Sequence, residues 1–187
     1  MKNYDALKWN TITSERLLHT PVFDVLQQKE KAATGLEGNY VALTAPEWVV
    51  VLAVHGENFV LVRQWRHGED KITLEFPGGV AEPGETAEES AARELEEETG
   101  FRAGRITCLG RVSSNPALFK NHFSVVLAED LVQTGELHLD ADEILSYEEL
   151  PIAEVFRRYG DDELTHAYMG TALAFYLRKL LQGKNLF

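Results

Sequence analysis

Residues 79–101 read Gly79-Val-Ala-Glu-Pro-Gly84-Glu85-Thr86-Ala87-Glu-Glu89-Ser-Ala91-Ala-Arg93-Glu94-Leu95-Glu96-Glu97-Glu98-Thr99-Gly100-Phe101. Two signals bound a helix over Ala87–Thr99: Thr86 with Glu89 three residues later forms a capping box, and Gly100 stands where a glycine stops a helix. At roughly 100° per residue, Glu94 and Glu98 project about 40° apart and Glu97 about 60° from Glu94, so the three carboxylates share a face. The apolar stripe is Ala87, Ala91 and Leu95, and Glu98 projects between the two alanines. A merely solvated acidic helix would carry its glutamates opposite that stripe, where Glu89 and Glu96 do lie. Glu94 and Glu98 do not. Like charges one turn apart repel, more so when water is excluded, and something cationic should compensate. Hard oxygen donors suit Mg²⁺, with Mn²⁺ as a substitute. Arg93 projects near Glu97 and one turn from Glu89, placed to orient a ligand carboxylate or to form an ordinary surface pair. Upstream, Gly78 and Gly79 let backbone approach a ligand closely, and Gly84 permits the turn into the helix.

Composition narrows what this helix serves. With 187 residues, 44% hydrophobic and 26% charged, the chain has the size and balance of one globular domain. Thirty Asp and Glu against eighteen Lys and Arg give a net charge of −12. That lacks the basic footprint of a duplex nucleic-acid binder, so an anionic substrate must be met by bound cations or a local basic cluster. Cys108 is the only cysteine, which excludes an intrachain disulfide and fits a reducing compartment. No apolar leader opens the sequence and no apolar run reaches membrane-spanning length, so a cytoplasmic protein without membrane association is expected.

The first half reads as strands. Arg16–His19 and Val22–Gln27 flank the Thr20-Pro21 turn, and Gly35-Leu-Glu-Gly38 turns into Asn39–Leu43. Trp48–Val54 is a run expected to be buried on both faces. His55-Gly56-Glu57-Asn58 turns into Phe59–Trp65, and Lys71–Phe76 makes one more strand before Pro77-Gly78-Gly79. Beyond the acidic helix come strand candidates Ile106–Val112 and Asn121–Leu127, a polar stretch through Asp142, and helices over about Ile152–Tyr159 and Leu164–Leu181. This order predicts a mixed sheet sandwiched by helices.

Gly79, five residues, Glu85, seven residues, then Arg93-Glu94-Leu95-Glu96-Glu97-Glu98-Thr99-Gly100-Phe101 resembles a complete Nudix box, G-x5-E-x7-R-E-U-x-E-E-x-G-U. Seven fixed positions at about one-in-fifteen usage each would coincide by chance on the order of 10⁻⁸ per start point. The resemblance implies an α/β (α+β) chain with a Nudix-type αβα sandwich, and hydrolysis of a nucleoside diphosphate linked to another moiety. By motif position, Glu94, Glu97 and Glu98 would be metal ligands, Glu85 an outer ligand or support, and the Gly78 carbonyl a further ligand. Bound Mg²⁺ would neutralise the diphosphate and lower the pKa of the attacking water.

The flanks lean towards one branch. Pro116, fifteen residues after Phe101, resembles the ADP-ribose and nucleoside diphosphate sugar pyrophosphatases, as does Val62-Arg63-Gln64-Trp65-Arg66 followed by Leu74-Glu75-Phe76-Pro77-Gly78-Gly79. Arg66 would then clamp a phosphate or ribose, against the alternative of an exposed strand-end charge. The stretch Asp140-Ala-Asp142-Glu143 matches the loop that carries a catalytic acid in that branch. Glu143 is the best-placed general base, with Asp140, Asp142 and Glu136 as rivals. Tyr40 is a candidate for stacking on a base, or a packed strand residue; Phe119 and His122 are weaker candidates. The branch also implies a homodimer in which residues 1–45, part of one domain, lend swapped antiparallel strands to a partner while residues 46–187 form the Nudix domain. Three readings stay open: a nucleoside diphosphate sugar hydrolase (ADP-ribose, GDP-mannose type); a Nudix enzyme for a triphosphate, dinucleoside polyphosphate, NADH or RNA 5′ end; and a non-catalytic nucleotide sensor.

Overall fold

The strands of the first half are divided between two compact units, Met1–Glu47 with Ser113–His122, and Trp48–Val112 with Phe123–Phe187. The computed structural model describes residues 4–135, 137, 139 and 144–183. Among these, no helix is long and apolar enough to cross a membrane.

The first unit carries an antiparallel sheet in the order β1 (Trp9–His19), β2 (Asp24–Ala32), β3 (Glu37–Thr44). The Thr20-Pro21 turn is where expected, closed by the Thr20 hydroxyl, which accepts the amides of Val22 and Phe23. β1 begins seven residues earlier than Arg16–His19. Its sequence does not alternate in polarity and every residue of it is exposed; the ladder from Trp9↔Ala32 to His19↔Asp24 holds it. The segment after Ser113 docks within the same unit, where the Leu43 amide donates to the Leu118 carbonyl and Lys120 donates back to Leu43.

The second unit is a mixed sheet with helices on both faces. Its elements are β4 (Trp48–His55), β5 (Asn58–Arg66), β6 (Lys71–Glu75), α1 (Ala87–Thr99), β7 (Phe101–Ser113), β8 (His122–Gln133), β9 (Leu145–Pro151), α2 (Ile152–Arg158) and α3 (Ala167–Gly183). The strand order is β6-β5-β4-β8-β7, with β9 paired to β5. β4 runs parallel to β8, and Val49–Ala53 is buried on both faces as its uninterrupted apolar run requires. One face packs Ala91 and Leu95 of α1 against Val51, Ala53, Val60, Val126 and Ala128. The other packs Val155, Met169, Ala172 and Leu173 from α2 and α3 against Val50, Leu52, Phe59, Leu61 and Val125. The αβα sandwich follows from those two clusters.

Besides strands that run longer than expected, β7 from Phe101 and β8 to Gln133, two elements of this unit differ from expectation. β9 was not foreseen, because Leu145-Ser-Tyr-Glu-Glu-Leu-Pro151 has no clean polarity period; its place is set by pairing along β5 from Asn58↔Pro151 to Gln64↔Leu145 and by the Arg63–Glu148 ion pair. α3 starts at Ala167 instead of near Leu164. Gly160 and Asp162 take positive φ, and the Glu163 carbonyl accepts the Leu74 amide at 2.9 Å, so this stretch covers the outer edge of β6 before the helix can begin.

One detail of this sheet builds the site. β4 pairs with β5 over Ala53↔Val60 to His55↔Asn58. Further back along β4 its neighbour is the turn after β6: Val51 donates to the Pro77 carbonyl at 2.8 Å and Val49 to the Gly79 carbonyl at 2.9 Å. The backbones come so close that a Cβ on Gly78 (φ +152) would overlap the Val49 carbonyl oxygen. Only glycine fits there.

Candidate active site

α1 is capped as its sequence dictates. The Thr86 hydroxyl accepts the Glu89 amide, the Glu89 carboxylate accepts the Thr86 amide at 2.8 Å, and Gly100 closes the helix at φ +69. Leu95 and Ala91 are fully buried, which fixes the helix rotation. Glu98 and Glu94, next to them in projection, are therefore carried under the sheet edge at 3% and 8% exposure. Glu97 sits at the rim and Glu89 faces solvent. The distribution rules out a simple solvated face.

Each buried carboxylate has a defined partner. Glu98 accepts the Gly78 amide at 2.9 Å, tying the helix to the turn that β4 holds. Glu94 lies beneath Gly79, where an added Cβ would come within 2.6 Å of its oxygens. Arg93 is the compensating cation. It donates to Glu94 at 2.9 Å, to Glu97 at 3.0 Å, to Glu85 through two bonds at 2.9 and 3.0 Å, and to the Val80 carbonyl at 3.1 Å. Sequence reasoning paired Arg93 with Glu97 and offered Glu89 as a neighbour. Glu89 is taken by Thr86, and the stronger partner is Glu85, brought back over the helix by the turn at Gly84 (φ +97).

Charge follows geometry. The Arg93 guanidinium is the main reason the Glu85 carboxyl is held down at about 2, assisted by the Glu82 amide and opposed by burial. The same pairing, with Glu94 and Glu97 adding to it, raises Arg93 further above its already high value. A carboxyl depressed in the folded state contributes stability that is complete above its unfolded pKa, here 4.5, and is lost as pH falls towards about 2. In EDTA, the Tm gap between wild type and Glu85→Gln should therefore be widest above pH 4.5 and close on acidification to about 2. A gap constant over that range would contradict the pairing.

The cluster suits a hard cation by its donors: two water-excluded carboxylates one turn apart, a third at the rim, and glycine backbone alongside. Among the described residues, no three carboxylate, imidazole or thiolate groups are already drawn into a cation cage. Glu94 and Glu97 are turned to Arg93 and Glu98 to Gly78, so a cation would have to compete with those contacts.

Arg66 ends β5 and lines a narrow cleft that also includes Trp48, Glu75, Gly78, His166 and Tyr168. It is not a loose strand-end charge, since its Nε and one terminal nitrogen bind Glu75 at 2.9 and 2.7 Å. Tyr40 and Pro116 belong to the first unit. Tyr40 packs edge-on against Trp9 at 5.4 Å between ring centroids, and Pro116 is exposed in a turn whose amides at Leu118 and Phe119 donate to the Asn115 carbonyl. In that unit Phe119 bridges to Leu43 and His122 faces Glu47 at 3.8 Å. Glu143, Asp140, Asp142 and Glu136 lie outside the described residues. Sequence reasoning missed Glu75, Thr73 and His166. A glutamate between Leu74 and Phe76 in a strand was a usable signal for the first; nothing local marked His166.

A family model of the NUDIX domain matches residues 45–170. The chain belongs to the Nudix family. It is 32% identical to the ADP compounds hydrolase NudE of Escherichia coli (strain K12) over 142 residues, 76% of this chain and 75% of that one. It is 29% identical to the ADP-ribose pyrophosphatase of Bacillus subtilis (strain 168) over 183 residues, 96% and 99% of the two chains. A crystal structure of an ADP compounds hydrolase superposes with a TM-score of 0.83 at 28% identity, covering 95% of this chain and 96% of that one. α1 with the Gly78-Gly79 turn is thus the Nudix helix and loop of this protein.

Proposed function

We propose that this Nudix enzyme hydrolyses the pyrophosphate bond of nucleoside diphosphate sugars, of the ADP-ribose or GDP-mannose type, releasing a nucleoside monophosphate and a sugar phosphate. The observation that carries the chemistry is the burial of Glu94 and Glu98 against the Gly78-Gly79 turn. A fold gains nothing in stability from two like charges taken out of water beside each other, whereas a site for a cation needs them. Glu94, Glu97 and Glu98, with the Gly78 carbonyl, would hold Mg²⁺ (or Mn²⁺), and Glu85 supports them through Arg93. The ion supplies charge neutralisation of the diphosphate and an acidified water.

The chain's own residues do the remainder. Arg93 gathers Glu85, Glu94 and Glu97 on one guanidinium, so the carboxylates are oriented before substrate arrives. Arg66, at the wall that contains Gly78, is the cation for substrate anchoring in a chain of strong net negative charge. A carboxylate downstream of β8, Glu143 before Asp140, Asp142 and Glu136, is the general base. Tyr40 and Pro116 are assigned to nucleotide contact on family resemblance. The names of the relatives, an ADP compounds hydrolase and an ADP-ribose pyrophosphatase, support the substrate class.

Incubation with Mg²⁺ of ADP-ribose, GDP-mannose, UDP-glucose, dGTP and NADH, with products separated by chromatography, tests this. Nucleoside monophosphate plus sugar phosphate from the sugar nucleotides is expected. Activity confined to dGTP would refute the substrate class, and none on any compound would favour a sensor.

The protein is further proposed to be a cytoplasmic homodimer. β1 and β3 leave Ile12, Leu17, Leu18, Tyr40 and Val41 about half exposed, an apolar surface that a second copy would cover. Light scattering at micromolar concentration should give twice the 21.0 kDa chain mass; monomer alone would overturn the assembly.

A further inference from the structure

Glu75 is 3% exposed, three residues ahead of the glycine turn and outside the Nudix box. Val62, Gln64 and Arg66 pair across the β5–β6 hairpin with Glu75, Thr73 and Lys71, so Arg66, Thr73 and Glu75 share one face of it. Arg66 meets Glu75 through two parallel bonds, at 2.9 and 2.7 Å, and the Thr73 hydroxyl donates to the same carboxylate at 2.5 Å. Stability does not account for this placement. A buried ion pair about breaks even against apolar residues of the same volume. What two parallel bonds to a carboxylate do provide is a fixed guanidinium plane.

The surroundings keep that pairing intact. The His166 Nδ1 accepts the Tyr168 amide at 3.2 Å, which leaves the proton of a neutral ring on Nε2, 3.9 Å from Glu75. Burial lowers the His166 pKa against the opposing pull of Glu75, so near pH 7 Arg66 is the charge that Glu75 answers, and His166 adds its own only in more acid solution, where Glu75 itself would titrate. Burial works to raise the Glu75 carboxyl, but Arg66, His166 and Thr73 outweigh it and hold it below its ordinary value. His166 is itself fixed by its loop, through the Leu74 amide to the Glu163 carbonyl and the Arg63–Glu163 ion pair. Arg66 and His166 line both the cleft that reaches Gly78 and an adjoining one of about 270 Å³ bounded by Gly68, Glu69 and Thr73.

We propose that Glu75 is a positioning residue: its carboxylate, braced by Thr73 and faced by His166, sets the Arg66 guanidinium in one orientation along the cleft to Gly78, where Arg66 meets the substrate. This rests on the diphosphate-sugar reading for its assay, and on the geometry alone for its second test.

The first test measures kcat and KM for ADP-ribose with Mg²⁺ in wild type, Glu75→Gln, Arg66→Ala and the double variant. Glu75→Gln should raise KM about tenfold, the scale of one displaced charged contact, with a smaller change in kcat. Arg66→Ala should raise KM at least as much, and the double variant should be no worse than Arg66→Ala. A Glu75 that only stabilises the fold would reduce the active fraction, leave KM unmoved and add to the Arg66 effect; that result overturns the proposal.

The second test needs no substrate. Millimolar guanidinium should raise the Tm of Arg66→Ala above its value in matched NaCl, because Glu75 still presents a guanidinium-shaped site. It should not do so for the double variant. Equal response of the two proteins also overturns the proposal. Wild-type turnover reports separately on the function: if another nucleotide is the substrate, the same kinetic comparison is run on that nucleotide.

Discussion

Glu98→Gln should lower turnover of the preferred nucleotide by about 100-fold or more, since changes one layer further from a metal already cost about 10–100-fold. The fold should be retained. Glu98 is buried and accepts the Gly78 amide at 2.9 Å, and a glutamine oxygen of the same reach can still accept it. The lost charge also relieves repulsion with Glu94, worth a few tenths of a kcal/mol in an isolated helix and more out of water. In EDTA the variant should therefore melt at or slightly above the wild-type temperature. Added Mg²⁺ should raise the wild-type Tm and leave the variant nearly unmoved. Rates close to wild type would reject the assignment of Glu98 to the metal, whatever the melting curves show.

Gly78→Ala should be the most damaging small substitution in the second unit. An alanine there meets the Val49 carbonyl oxygen and lies 3.1 Å from the Val50 Cα at a φ of +152. Both obstacles are backbone of a central strand, so neither can turn aside as a side chain would. Overpacking costs about 1–3 kcal/mol and a strained dihedral about 1–3 kcal/mol, so a loss of about 2–6 kcal/mol is expected, read as a drop in the urea midpoint at constant slope. Gly56→Ala is the control. Its φ is +61 but nothing lies within 4 Å of the added carbon, so it should cost only about 1 kcal/mol of conformational strain. Equal losses in the two variants would mean that contact with β4 is not what Gly78 is kept for.

Much of this was legible in residues 79–101. The capping box, Gly100 and the alanine stripe bounded and oriented α1, and orientation alone led to the burial of Glu94 and Glu98. The buried run at Trp48–Val54 was readable for the same kind of reason, being determined by its own side chains. What was not readable depends on partners far along the chain. β9 has no period of its own and becomes a strand because β5 offers it an edge. Arg93 prefers Glu85 to Glu89 because a turn at Gly84 folds back and the capping box has already taken Glu89. Glu75 is understood only once Arg66 and His166, from another strand and from the entry to α3, are seen to face it.

β4 has a further consequence for how the chain acquires its shape. One edge of this strand is served by residues 58–60 and 77–80, which follow it closely, while the other is served only by the parallel stretch Phe123–Ala128. On a chain growing from the ribosome, the apolar run Val49–Ala53 thus has one side joined early and one side exposed until β8 is synthesised. Closing that long loop is an entropic barrier that local hairpins do not face. The centre of the sheet should therefore be protected later than the local hairpins, and be exposed to chaperones or to misassociation until then.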